Sequence, residues 1–167
     1  MKRSVLRSDF PTRKELPSAG PLGARGVSFH SVSKKYGAKA GSVLAVDDLT
    51  MECAAEEITC ILGPSGCGKS TVLQMLAGFT SADSGSITLA GQPVTAPGRD
   101  RVMVFQTPVL LPWLTILENV AFALQSKEPI DDELTQLLDN VGLLSFQNHY
   151  PYQLSGGMKQ RAQIARA

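Results

Sequence analysis

At 167 residues the chain has room for one domain with a buried core and too little for two. Apolar residues make up 43% and charged residues 19%, the composition of an ordinary soluble globular protein. Net charge is only +1: residues 1–25 carry a balance of +4 and the remainder −3, so the folded part offers no basic face for a row of nucleic-acid phosphates, and no nucleic-acid partner is expected.

The first 25 residues hold Lys2, Arg3, Arg7, Arg13, Lys14 and Arg25 against Asp9 and Glu15, punctuated by Pro11, Pro17, Gly20, Pro21 and Gly23. That composition predicts a flexible basic tail, with a weaker lean toward anionic lipid. No continuous apolar h-region follows it, which argues against a secretory signal. No window approaches the roughly eighteen apolar residues needed to span a bilayer. Cys53, Cys60 and Cys67 fit neither a disulfide framework nor a zinc site, and a reducing compartment suits them.

From Val27 the pattern tightens. Val27 and Phe29 alternate with polar neighbours, and Val43–Val46 with Leu49–Met51 continue in strand fashion. Ile58–Leu62 is a β-branched apolar run ending at Gly63, as a buried parallel strand would. Ser70–Phe79 then reads as a helix with Val72, Leu73, Met75 and Leu76 at helical spacing and Gly78 as terminator. Ser86–Ala90 and Arg101–Phe105 are predicted strands. Thr115 and Glu118 form a capping box for a helix whose face holds Trp113, Leu117, Val120 and Leu124. A further helix is expected from about Asp131 to Asn140, closed by Gly142, and a last one over Met158–Ala167.

The junction between the Ile58–Leu62 strand and the helix after it reads Gly63-Pro64-Ser65-Gly66-Cys67-Gly68-Lys69-Ser70, matching G-x-x-x-x-G-K-[ST]. Glycines let the backbone wrap around an anion with its amides pointing inward, and the following helix aims its positive end at the same place. In such a loop the lysine is a point charge for the β- and γ-phosphates of a nucleotide, and the hydroxyl at Ser70 is a magnesium ligand, with Thr71 following. Cys67 lies inside the loop; alkylation there would block nucleotide binding, unless the residue is only a small, tolerated filler. His30 and His149 match no catalytic context and read as structural.

A second motif lies 84 residues beyond Ser70. In Leu154-Ser155-Gly156-Gly157-Met158 the serine is a good helix N-cap and the two glycines bare the first amides, making another helix start suited to an anion. This segment resembles the LSGGQ signature of ABC-transporter ATPases, with methionine in fifth place. Together with Leu111–Val120 it looks like the ATPases of importers for nitrate, sulfonate, taurine and related solutes, over about Val27 to Ala167.

The resemblance implies an α/β fold: the P-loop NTPase core of the ABC ATPase type, with an antiparallel β part, an incomplete parallel sheet and a helical subdomain at about 107–160 carrying the signature. It implies ATP and Mg2+ as cofactors, with Tyr36 stacking on adenine and Gln106 positioning magnesium and water. It implies that Ser155, Gly156 and Gly157 reach the γ-phosphate held by a second ATPase subunit. It also implies a membrane-embedded permease docking after Gln106, where Trp113 is either an interface anchor or a core residue. The location implied is cytoplasmic, peripheral on the inner face of the cell membrane.

Family members continue past Ala167 into an acidic strand end and a histidine, for which this chain has no counterpart. Negligible hydrolysis by the chain alone and marginal stability are therefore expected, since strands buried on both faces would be missing. Two functions compete: energy-coupling subunit of a small-solute importer, or a noncatalytic nucleotide-binding module that pairs with a complete ABC ATPase. An ABC ATPase acting on DNA is disfavoured, because 84 residues leave no room for its long insertion.

Overall fold

The computed structural model describes residues 26–37, 41–124 and 132–167. The basic tail of residues 1–25 and Asp131 lie outside the described residues. The chain divides after Arg101 into two compact units.

The first unit is built on an antiparallel sheet of order β2-β1-β3-β4, with β1 at Val27–Tyr36, β2 at Val43–Cys53, β3 at Ser84–Leu89 and the short edge strand β4 at Gln92–Pro93. Helix α1, Lys69–Leu76, completes it. Period-two alternation is interrupted in both long strands. Ser31 and Asp48 both take φ of 47°, and the β1–β2 register shifts between Phe29↔Met51 and Val32↔Leu49, again before Lys34↔Val46, and once more before Lys35↔Leu44. Each displaced amide finds a hydroxyl: Ser31 N–H donates to Thr50 Oγ1 and Asp48 N–H to Ser33 Oγ, both at 3.0 Å. These bulges change the phase of the side chains. Phe29 and Val32, three apart, therefore both face the core, as do Val46 and Leu49. Ile87 of β3 and Val72 and Met75 of α1 close it. Leu73 is exposed instead, because it lies about 100° around the helix from the Val72–Met75 stripe.

Asp83, just before β3, staples the sheet. Its carboxylate accepts from Lys34 Nζ at 2.8 Å and from the Lys35 amide at 2.6 Å. The Lys34 hydrogen bond first, then that of the Lys35 amide, hold its carboxyl below the ordinary value of 3.8. A depressed folded-state pKa adds stability above the ordinary value that is lost as pH falls through the lowered one. The melting temperature should therefore drop on acidification below about 3.8. Asp83→Asn should flatten that part of the profile, and an unchanged acid limb in the variant would refute the assignment.

The predicted strands Ile58–Leu62 and Arg101–Phe105 are not strands. Neither takes part in a ladder, and Ile58 is 94% and Leu62 76% exposed, with Val102, Val104 and Phe105 exposed as well. A β-branched run favours extended backbone, but a strand exists only through a neighbour's amides and carbonyls. Among the described residues no parallel pair forms.

The second unit is helical: α2 at Ile116–Leu124, α3 at Asp132–Asn140 and α4 at Gly156–Arg166, with single 3₁₀ turns at Leu144–Phe146 and Pro151–Gln153. The expected capping box is present. Glu118 N–H donates to Thr115 Oγ1 at 3.3 Å, and Thr115 N–H donates to Glu118 Oε2 at 2.7 Å. Helix α3 ends at Gly142 (φ 64°), where Leu143 N–H reaches Leu138 O and Gly142 N–H reaches Asp139 O. That is the left-handed stop for which glycine is suited, and the fully buried Leu138 and Leu143 meet behind it. Ile116, Val120, Leu134, Leu138, Leu154 and Ala162 are among the core residues. Trp113 is not: it is 69% exposed, because it lies in the turn ahead of the Thr115 cap and does not share the helical face of Leu117 and Val120. The Leu124 side chain lies outside the described residues.

Candidate functional site

In the first unit the loop Gly63–Gly68 runs straight into α1. Gly66 and Gly68 take φ of 80° and 104°, and a β-carbon on Gly68 would fall on the carbonyl oxygen of Ala45 in β2. Only glycine allows both the turn and that approach. Gly68 is also the N-cap of α1, so the helix begins with no side-chain cap and no acidic residue in its first turn. The first intrahelical-type bond is Val72 N–H to Gly68 O at 3.0 Å, and the amides of Lys69, Ser70 and Thr71 have no backbone carbonyl partner among the described residues. Amides left bare at the positive end of a helix are of the kind that can take an anion.

Lys69 belongs to the same arrangement. Its ammonium donates to Gly63 O at 2.8 Å and to Pro64 O at 2.7 Å, folding over the loop, with Cys67 Sγ at 3.5 Å. These contacts draw the charge to the loop that it closes. Ser65, Gly66 and Ser70 are exposed, and Ser70 presents its hydroxyl one residue into the helix. A nucleotide's terminal phosphates fit this donor set: bare amides, an ammonium and an adjacent hydroxyl for a divalent cation. Cys67 lies beneath the loop, its Sγ against the Lys69 ammonium. It is buried in the core with Val72 and Met75, so it acts as packing under the loop and is shielded from an alkylating reagent.

Tyr36, expected to stack on a base, stands at the end of β1 paired with Val43, partly exposed, with Lys34 Nζ 5.7 Å from its ring centroid.

In the second unit the two remaining expected positions are Gln106, on the exposed loop after Phe105, and the start of α4. Ser155 caps α4 as anticipated, its Oγ accepting from Met158 N–H at 3.4 Å. Ser155, Gly156 and Gly157 are all exposed. His149 has a structural part: its carbonyl accepts from Ile116 N–H and its ring lies 5.2 Å from that of Phe146.

Two residues went unnoticed in the sequence. Asn119 and Gln163 are buried polar side chains in an apolar unit. Asn119 Nδ2 donates toward the carbonyls of Leu111, Leu114 and Thr115 at 2.9–3.0 Å, and Oδ1 accepts from Leu111 N–H at 2.8 Å. Gln163 Oε1 accepts from Val109 N–H at 2.9 Å, and Nε2 donates to Phe105 O at 3.1 Å. The available signal was a carboxamide within an otherwise apolar helix face, Asn119 beside Val120 and Gln163 between Ala162 and Ile164.

A family model described as ABC transporter matches residues 46–167. The nitrate import ATP-binding protein NrtD of Synechocystis sp. is 44% identical over 140 residues, covering 81% of this chain and 53% of that protein. The taurine import ATP-binding protein TauB of Burkholderia thailandensis is 42% identical, covering 83% and 55%. The bicarbonate transport ATP-binding protein CmpD of Synechocystis sp. is 39% identical, covering 93% and 58%. The chain thus spans a little over half the length of these curated relatives. Among solved structures, the dimeric post-hydrolysis state of the ATP-binding cassette MJ0796 bound to ADP and Pi superposes with a TM-score of 0.71 at 29% identity. That match covers 84% of this chain and 68% of that one.

Proposed function

The chain belongs to the ABC transporter family, and on that footing we propose that it binds ATP as part of the energy-coupling subunit of a small-solute importer. One observation carries the reading: an uncapped helix start with unpaired amides, closed over by the ammonium of Lys69. Gly63, Pro64, Ser65, Gly66, Cys67, Gly68, Lys69, Ser70 and Thr71 form the phosphate cradle, through the backbone N–H groups of all but Pro64, which has none and shapes the turn, and through the one charge of Lys69. Ser70 would offer its hydroxyl to Mg2+, which when bound neutralises charge on the phosphates, and Gln106, on its own unit, would offer a carboxamide oxygen to such an ion. Tyr36 offers its ring to the base, a contact that needs only a π face.

The exposed start of α4, Ser155–Gly157, serves ATP held by a second ATPase subunit. The MJ0796 cassette, similar in fold, is a dimer by its own description. A permease embedded in the membrane docks on the loop after Gln106, where Trp113 stands exposed. No helix among the described residues is long and apolar enough to cross a membrane, and attachment through that partner places the chain on the cytoplasmic face. The transported solute belongs to the nitrate, sulfonate and taurine class.

The test is equilibrium binding of ATP to the full chain, with magnesium and with chelator. Ser70→Ala should lower affinity about tenfold with magnesium present, one charge-assisted contact's worth, and little in chelator. A folded wild-type chain that does not bind ATP would refute the reading. Equal losses under both conditions would remove Ser70 as the metal ligand.

A further inference from the structure

The loop that carries Gln106 has no regular secondary structure, yet one side chain grips it on both sides. Gln163, 4% exposed on α4, donates to the carbonyl of Phe105, the residue before Gln106. The same carboxamide accepts from the amide of Val109, three residues after it. An apolar side chain would fill the volume among Ala162, Ala165 and their neighbours equally well. What the carboxamide adds is a matched donor and acceptor, and a buried carboxamide is stable only where both ends are satisfied. Gln163 also lies eight residues beyond Ser155, on the same continuous helix whose first turn is the exposed Ser155–Gly157 start.

We propose that Gln163 is a positioning residue: it fastens the Gln106 loop to the signature helix, so that displacing the loop displaces that helix. The proposal rests on the reading that Gln106 and Ser155–Gly157 act on bound nucleotide, and it concerns how the two are kept in step. Asn119 holds the adjoining stretch through Leu111 and supplies an internal control, since it touches a different amide.

The experiment is amide hydrogen exchange on the full chain, wild type against Gln163→Met, which keeps the bulk and removes the polar pair. Exchange at Val109 should accelerate about tenfold, one hydrogen bond's worth of local opening, while Leu111 keeps its protection. Gln163→Glu, which retains an acceptor, should restore part of the protection at Val109. In parallel, the gain in ATP affinity on adding magnesium should shrink in Gln163→Met as it does in Gln106→Ala, and the double variant should be no worse than either. Unchanged exchange at Val109, or equal acceleration at Val109 and Leu111, would overturn the tether. A freed Val109 with full magnesium response would overturn the positioning role. If the wild type binds no ATP at all, the nucleotide reading falls, and the exchange data alone still decide whether Gln163 holds the loop.

Discussion

Asn119→Ala should destabilise the helical unit by on the order of 3–5 kcal/mol, as much as truncating one of its fully buried leucines. The side chain is fully buried and makes four hydrogen bonds, three to carbonyls and one from an amide. Removing it leaves Leu111 N–H and Leu114 O, both on half-buried residues, without the partner that the buried carboxamide gave them. Each such orphan costs about 1–3 kcal/mol. Thr115 O is less affected, because it also accepts from Asn119 N–H in the helix. Whole domains are held by only about 5–15 kcal/mol, so urea unfolding followed by far-ultraviolet circular dichroism should show a markedly lower midpoint. Thr115→Ala supplies a scale: it removes one exposed cap and should cost about 1 kcal/mol. If Asn119→Ala costs no more than that, the carboxamide is not the clamp of the 111–115 turn.

Lys69→Ala should weaken ATP binding about ten- to a hundredfold, corresponding to one charge-assisted contact of about 1.5–3 kcal/mol. In the free protein the ammonium rests on the carbonyls of Gly63 and Pro64, and a phosphate competes for it as the stronger acceptor. Part of the phosphate contact is therefore offset by the two it replaces, which keeps the effect near the middle of that range. The fold should be barely affected, because Lys69 is not part of the core around Val72 and Met75. Calorimetric titration separates the two quantities: affinity falls while the melting temperature stays. Unchanged affinity in the variant would count against the entire phosphate-cradle assignment.

How much of this was legible beforehand depends on the range of the interaction. The phosphate loop, the Thr115–Glu118 box, the Ser155 cap and the Gly78 and Gly142 stops were all readable. Each is fixed by residues within one or two helical turns, where a glycine's permitted φ or a hydroxyl three residues from an amide decides the outcome. The ends of helices, and hence the bare amides after Gly68, follow from the same local rules.

Partnerships across the chain were not readable. Whether Ile58–Leu62 becomes a strand depends on a neighbour's ladder, and its apolar run is equally compatible with an unpaired, exposed segment. The bulges at Ser31 and Asp48 are settled by hydroxyls 19 and 15 residues away, and the grip of Gln163 on the Gln106 loop spans 54 and 58 residues. Sequence alone thus determined the local geometry, a glycine loop with its lysine at one uncapped helix start and a second, capped helix start. The tertiary structure alone decided what holds those parts in place, because a buried hydrogen bond is specified by where two distant backbones meet and leaves only a polar letter in an apolar face to mark it.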